Sequence, residues 1–293
     1  MRTKLVQLGD TRLTVRGRVV SVARVADEWI DPLTSPVEIA KSLKAVRAGI
    51  DLFTFVNHLP PPESFHPYHQ EEENLAAISV TTYEHWLTKQ IDPKARNHFR
   101  KSEKAGLQVR VVQFDDNLVR SIMEIYNETP NRQGRPFWHY GKSFDVVKAE
   151  LADRIHRSAF LGAYDGGNRL IGFIKLVYGD VWASIELIVS LIAERKKSPN
   201  NALIAAAVRQ CEEQKKDFLT YAHFSYGQKG VDSLTEFKQD NGFKKVVLPR
   251  YWVPLTTLGT LALRLGLHRP ASTWIPAPIY KSLVWIRKRC FAS

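Results

Sequence analysis

The residue types best suited to chemistry gather at one strand-turn-helix junction. The apolar run Ile185-Glu-Leu-Ile-Val-Ser-Leu-Ile192 feeds the turn Ala193-Glu-Arg-Lys-Lys-Ser-Pro-Asn-Asn201, and a helix is predicted from about Ala202 to Gln214. The first N–H groups of a helix have no partner inside it, and the helix dipole is positive at that end. A basic turn entering such an end is a place to hold a phosphate. Arg195, Lys196 and Lys197 supply the charge, Ser198 can cap or donate, and Asn200 and Asn201 open the helix. Within the strand, Glu186 stands alone among apolar neighbours. Burial raises a carboxylate pKa, which suits a general base; a structural ion pair is the competing reading. A third concentration is the loop from Asn127 to Gly141, with Arg132, Arg135, His139 and Tyr140 beside Phe137 and Trp138. A loop of that length is functional or disordered, and its aromatic content argues against disorder. Arginines with aromatic rings suit an anionic or sugar-bearing ligand; a packed surface loop is the alternative.

The elements that must position these residues follow from periodicity and punctuation. Arg12 to Val25 alternates and is broken by Gly17, a bent strand or hairpin. Ser35-Pro-Val-Glu38 is a capping box with proline at the first helical position, and Gly49 ends that helix. Asp51 to Leu59 reads as a buried strand, Pro60 to Asn74 as a loop, and Leu75 to Val80 as a short strand. Helices are predicted over 82–90 and 93–104, the second ending at Gly106, with Arg96, Arg100 and Lys104 in one row. A strand follows over 107–114, then a helix capped by Asp115 or Asp116, then the aromatic loop and a helix opened by Ser143. Ala159 to Tyr164, Leu170 to Tyr178 and Trp182 to Ile192 form an antiparallel meander through the turn Asp165-Gly-Gly-Asn168. After the central helix, Phe218 to Tyr226 must run parallel to the third meander strand, because a helix intervenes. Ser233-Leu-Thr-Glu236 caps a short helix, and Phe243 to Val253 is the last strand.

The chain has 293 residues, a net charge of +12 and 44% hydrophobic residues, the profile of a globular protein. Its two cysteines, Cys211 and Cys290, offer neither a disulfide framework nor a zinc spacing, so no metal and a reducing compartment are expected. No run long enough to cross a membrane and no leader segment is read. No acidic residue follows Asp240. A segment so one-sided seeks polyanions, either nucleic acid or an anionic membrane. Ile279 to Phe291 mixes apolar residues with Lys281, Arg287, Lys288 and Arg289, a pattern that lies on an anionic bilayer or docks on its own domain.

The element order from Leu107 to Val253 resembles the GNAT acyltransferase fold, and within it the FemAB-like transferases. Two short patterns add to the order. The helix Arg96 to Gly106 matches Arg-x-x-x-Arg-Lys-x-x-Lys-x-Gly, and Phe237-Lys238 is followed by Gly242-Phe243. The resemblance implies transfer of an acyl or aminoacyl group to an amine, from acyl-coenzyme A in GNAT members or aminoacyl-tRNA in FemAB-type members. It implies that Lys238 meets a donor phosphate or the developing negative charge. It puts His223 and Tyr226 where two strands splay around the donor, as base or relay and as acid. It makes the loop with Arg132 and Arg135 the acceptor wall. The sequence departs from the GNAT phosphate turn, Arg/Gln-x-x-Gly-x-Gly/Ala. Here Arg195-Lys-Lys-Ser-Pro-Asn200 lacks both glycines, and Pro199 has no N–H to donate.

The expectation is an α+β, GNAT-like fold: a mixed, mostly antiparallel sheet flanked by helices over 94–254. A smaller N-terminal α/β segment, 1–93, reads as a reduced companion half, and 255–293 as a basic helical tail. The expected protein is a cytoplasmic acyltransferase, peripheral on the membrane, using acetyl-coenzyme A or another acyl-coenzyme A. Its acceptor would be a small-molecule or saccharide amine of the cell envelope. The alternatives are an aminoacyl-tRNA-dependent transferase and a non-catalytic binding scaffold.

Overall fold

The computed structural model describes residues 4–9, 11–30, 33, 35–45, 49–57, 59–60, 66–225 and 233–269. The chain begins with strands β1 (Lys4–Leu8), β2 (Thr11–Arg16) and β3 (Val22–Val25), helix α1 (Pro36–Ala45), and strands β4 (Leu52–Val56) and β5 (His69–Ser79). Helix α2 (Tyr83–His85) runs on as a π-turn over Trp86–Gln90, and α3 (Pro93–Lys104), β6 (Gln108–Val112) and α4 (Asp116–Tyr126) follow. The small hairpin β7 (Asn131–Arg132) and β8 (Arg135–Pro136) precedes α5 (Phe144–Ala152) and the meander β9 (Ser158–Tyr164), β10 (Leu170–Tyr178) and β11 (Trp182–Ser190). Last come α6 (Pro199–Glu213), β12 (Phe218–Thr220), α7 (Ser233–Asp240), β13 (Lys244–Pro254) and α8 (Thr257–Arg264).

The described residues form two compact units, one up to Glu73 together with those from Val247, the other Asn74–Val246. The chain passes between units inside β5 and β13, where no linker composition marks the crossing.

In the first unit β1, β2 and β3 form an antiparallel meander, β4 lies parallel to β3, and β13 pairs antiparallel with β4. The hairpin reading of residues 12–25 holds, and Gly17 explains it. Its φ is +130°, and a Cβ there would meet the Val20 carbonyl oxygen at 1.8 Å. Leu13, Ala23, Leu43, Phe53, Phe55 and Tyr251 close a core against α1. Residues 69–74, read as loop, belong to β5: its glutamates find cationic and indole partners far away in sequence.

The second unit orders its strands β5-β12-β11-β10-β9-β6. β9, β10 and β11 are the expected antiparallel meander, and β12 is parallel to β11. The element order from β6 to β13 is the GNAT-like order. Local capping explains the helix starts: Asp92 accepts the Lys94 N–H and Asp115 the Leu118 N–H. Helix α6 buries Leu203, Ile204, Ala207, Val208 and Cys211 in the core; burial pushes the Cys211 thiol up to about 12, so it is an inert packing group. One expectation fails. The strand read over 218–226 stops at Thr220, because Ala222 turns into the left-handed region at φ 44°.

Candidate active site

The site begins where a ladder ends. β11 and β12 pair only from Trp182↔Phe218 to Ser184↔Thr220. Beyond it, Tyr221 and Ala222 stay with β5, exchanging hydrogen bonds with Ala76 of 2.9 and 2.8 Å. β11 continues to Ser190 paired, among the described residues, with β10 alone. From Ile185 onward, therefore, alternate N–H groups of β11 face away from β10 and from any other strand of the described residues. A carbonyl lying along that edge would be polarised by them.

Glu186 stands at this opening because of a β-bulge. The β10–β11 register runs Lys175↔Leu187 and then Leu176↔Ile185, leaving Glu186 as the extra residue. Bulges re-aim side chains in this way. The carboxylate is not isolated among apolar groups, the environment expected of a raised-pKa base. Lys175 Nζ lies 2.5 Å from Oε2 and Arg154 Nη1 lies 3.1 Å from Oε1. Lys175 is wholly buried and donates to the Asp153 carbonyl at 2.7 Å; Arg154 also pairs with the Asp153 carboxylate. The ion-pair reading of Glu186 thus describes its surroundings, and 18% of its side chain still reaches solvent.

On the opposite lip, Lys238 is fully buried, which removes the reading of a surface lysine on a short helix. Its ammonium donates to the carbonyls of Tyr221 (2.9 Å) and His223 (2.5 Å) and lies 4.3 Å from the Tyr221 ring centre. It fixes the segment that leaves β12 at the split. His223 is half-buried in that segment, after the strand rather than in it. Tyr226 lies outside the described residues.

The basic turn is folded differently from a phosphate cradle. The N–H groups of Glu194, Arg195, Lys197 and Ser198 donate within the turn, to Leu191, Ile192, Glu194 and Arg195, and those of Asn201 and Ala202 donate to the Ser198 carbonyl. Pro199 opens α6, so its first turn has little left to offer an anion. Ser198 is left-handed (φ 56°) and 7% exposed, with its Oγ 3.0 Å from His98 Nδ1 on α3. Asn201 reaches Asn241 at 3.1 Å, tying α6 to the end of α7, while the buried Asn200 Oδ1 has no partner among the described residues. Lys197 is paired with Glu194 at 2.7 Å. Arg195 and Lys196 are exposed, as are Arg100, Lys101 and Lys104 on α3, the helix that packs against the turn. Arg96 is taken out of the expected row, since it donates to the carbonyls of Leu87 and Thr88, both at 2.9 Å.

The aromatic loop divides. Arg132 and His139 turn inward. Arg132 bridges the carbonyls of Ile125 (2.7 Å) and Ser190 (2.8 Å), bonds Glu128, and stacks on Phe137. Glu128 in turn accepts the N–H groups of Ile192 and Ala193, at 2.7 and 2.9 Å, and so anchors the start of the basic turn. His139 stacks on Tyr126 at 4.4 Å; burial and then Lys142 lower its pKa. Burial, then Glu150 and Glu186, raise the Tyr126 phenol, whose oxygen has no hydrogen-bond partner among the described residues. Arg135 and Tyr140 point to solvent.

The structure therefore links Glu186, Tyr126 and His139 on one side, and Lys238 with His223 on the other. Lys175, Arg154, Glu128, His98 and Asn241 were not legible as site residues. The signal for Lys175 was a lysine inside the apolar strand Leu170–Tyr178, on the neighbour of the Glu186 strand.

No known protein family and no curated protein is matched by the sequence. Solved structures share the architecture. L-PGS from Bacillus licheniformis superposes with a TM-score of 0.56 at 15% identity, covering 86% of this chain and 83% of its own. The C-terminal domain of a putative lysylphosphatidylglycerol synthetase from Agrobacterium fabrum gives 0.55 at 14%, covering 89% and 87%. FemX gives 0.56 at 9%, covering 85% and 87%. At such identities the likeness is one of fold.

Proposed function

We propose that the chain is an aminoacyltransferase that takes its aminoacyl group from a tRNA ester and passes it to an amine acceptor. The observation that carries the donor assignment is the basic turn. The N–H groups of Glu194, Arg195, Lys197, Ser198, Asn201 and Ala202 are bonded within the turn and the helix start, so a coenzyme A diphosphate finds few donors there, yet Arg195, Lys196 and the cations of α3 remain exposed. Distributed surface cations suit a polyphosphate chain. The FemAB-like resemblance implies the same donor, and the Agrobacterium neighbour is named for putting a lysyl group on a phospholipid.

In this reading the acceptor nitrogen attacks the ester carbonyl at the free edge of β11, whose N–H groups stabilise the oxyanion. Glu186 receives the amine proton. The C–O bond to the ribose breaks, and the ribose oxygen takes a proton from His223, with Tyr226 as the alternative acid. Lys175 and Arg154 hold Glu186 in place. Lys238 holds the Tyr221–His223 segment at the site and brings positive charge to its back. Arg132 positions the end of β11, and Arg135, His139 and Tyr140 line the acceptor side.

Binding tests the donor. The paired substitution Lys101→Glu with Lys196→Glu should weaken aminoacyl-tRNA binding and lower the salt slope by about 2, at roughly 0.9 per duplex phosphate contact. An unchanged slope would remove this surface from the donor site. Micromolar binding of acetyl-coenzyme A or a long-chain acyl-coenzyme A at physiological salt, abolished by Lys196→Glu, would move the donor to coenzyme A.

A further inference from the structure

Helix α8 has two faces of opposite use. Thr256 caps it, accepting the Gly259 N–H at 3.0 Å and donating to Asp51 at 2.7 Å. Gly259 lets the helix lie against β4, since a Cβ there would meet the Asp51 carbonyl oxygen at 2.0 Å. Ala262 and Leu263 pack on Leu52, Trp252 and Val22. The outward face is also apolar. Leu258, Leu261 and Leu265, at helical spacing, are 40%, 51% and 53% exposed, and Leu267 beyond them is 51% exposed. A short amphipathic helix in water would carry polar residues there.

The apolar row is rimmed by positive charge. Arg264 stands exposed within it. Beside it opens a pocket of about 480 Å³ lined by His69, Arg264, Leu265, His268 and Arg269. Glu71 is bonded to residues of this lining: its Oε1 accepts from Arg269 at 2.8 Å and lies 3.0 Å from His268 Nε2, while Oε2 accepts the Trp252 indole N–H. The sequence from here to the C-terminus adds cations and no acid. A protein-binding patch concentrates aromatic anchors and keeps charge from its centre. Branched aliphatic residues interleaved with arginine are instead the composition of an interfacial helix, whose arginines reach up to lipid phosphates while the leucines sit at the acyl boundary.

We propose that the outward face of α8 docks the protein on an anionic phospholipid bilayer, with Leu258, Leu261 and Leu265 at the acyl boundary and Arg264 and Arg269 on lipid phosphates. The pocket receives one phosphate head group. Docking is independent of the transfer reaction and of its donor.

The test uses the full chain with vesicles of phosphatidylcholine alone or mixed with phosphatidylglycerol, sedimented at physiological salt. Binding at least tenfold tighter to the phosphatidylglycerol vesicles is expected. Leu261→Glu with Leu265→Glu should abolish it, and Arg264→Glu should weaken it severalfold. All three side chains are exposed, so the variants keep the fold, which a thermal melt checks. A solvent-sensitive fluorophore on Leu261→Cys, in a Cys290→Ser background, should shift to the blue with anionic vesicles only. Equal binding to both vesicles overturns the proposal, as does no binding at all. Undiminished binding of the double leucine variant would pass the attachment to another segment. A fluorophore already blue-shifted without vesicles, and unmoved by them, would show the face covered by protein.

Discussion

Arg250 in the first unit and Glu186 in the second are both charges brought into the interior, and they are met in opposite ways. Arg250, 3% exposed, is gripped by Glu28 at 2.6 and 3.2 Å and by Glu73 at 3.0 Å, with Thr54 at 3.4 Å. Burial works against its charge, but the two carboxylates outweigh burial and raise its pKa. Glu28 also lies 3.6 Å from Arg24, so the acids and cations of this cluster close on one another. Around Glu186, Lys175 and Arg154 converge on one carboxylate, Arg154 pairing with Asp153 as well, and Glu186 keeps an edge to solvent beside the stretch of β11 that among the described residues pairs with β10 alone. A closed cluster of this kind specifies a fold; an open one can also answer charge that develops during a reaction.

The largest expected effect lies in the closed cluster. Arg250→Met removes the buried cation that Glu28 and Glu73 share and should cost about 3–5 kcal/mol of stability. Urea denaturation measures it. The rate per folded molecule should be unchanged; a matching loss of rate would mean the two clusters are not functionally distinct.

Lys175→Met should divide the other way. Arg154 still pairs with Glu186, so the stability loss should be about 1–3 kcal/mol, chiefly the orphaned Asp153 carbonyl. Turnover of the folded protein should nevertheless fall about 100-fold as Glu186 loses its place. Stability loss without this drop in rate would return Glu186 to a purely structural role.

This contrast also marks what could be read from the sequence. Helix ends obeyed local rules, as at Asp92, Asp115 and Gly106, the last with φ +71°. Most strands followed periodicity and order, so the α+β, GNAT-like order was legible, while β1 and the two-residue strands β7 and β8 were not read. Partners set by register were not. Glu186 meets Lys175 and Arg154 only because a bulge shifts the β10–β11 pairing. The run His69 to Glu73 looks like a solvated loop until Arg250, Trp252 and Arg269, nearly two hundred residues on, supply its partners. The basic turn was legible as charge, but not as a turn that binds most of its own amides.

Below both clusters in magnitude stands the link from loop to turn. Arg132→Lys cannot hold the Ile125 and Ser190 carbonyls together, because a lysine lacks the planar fork. A loss of about 1–2 kcal/mol is expected at roughly 1 kcal/mol per hydrogen bond. Faster amide exchange at Ile192 and Ala193 should accompany it, since Glu128 loses its brace. Unchanged exchange there would separate the loop from the turn.

The smallest effect sharpens the comparison most, because it needs no broken pair. His139 is stacked on Tyr126, and burial with the nearby Lys142 lowers its pKa in the folded chain. The unfolded chain takes up its proton near the ordinary histidine value of about 6.5, and the folded chain only at lower pH. As pH falls from about 6.5, the unfolded state thus binds more protons at this site, and stability declines until the folded state is protonated as well. Above that window the group contributes nothing. His139→Phe keeps the stacked ring and removes the titration, so the variant's stability should fall less than the parent's between pH 6.5 and 5, the two curves running parallel at pH 8. Parallel curves throughout would mean that His139 is protonated as easily folded as unfolded, and that this part of the aromatic loop is as open to water as Arg135 and Tyr140 are.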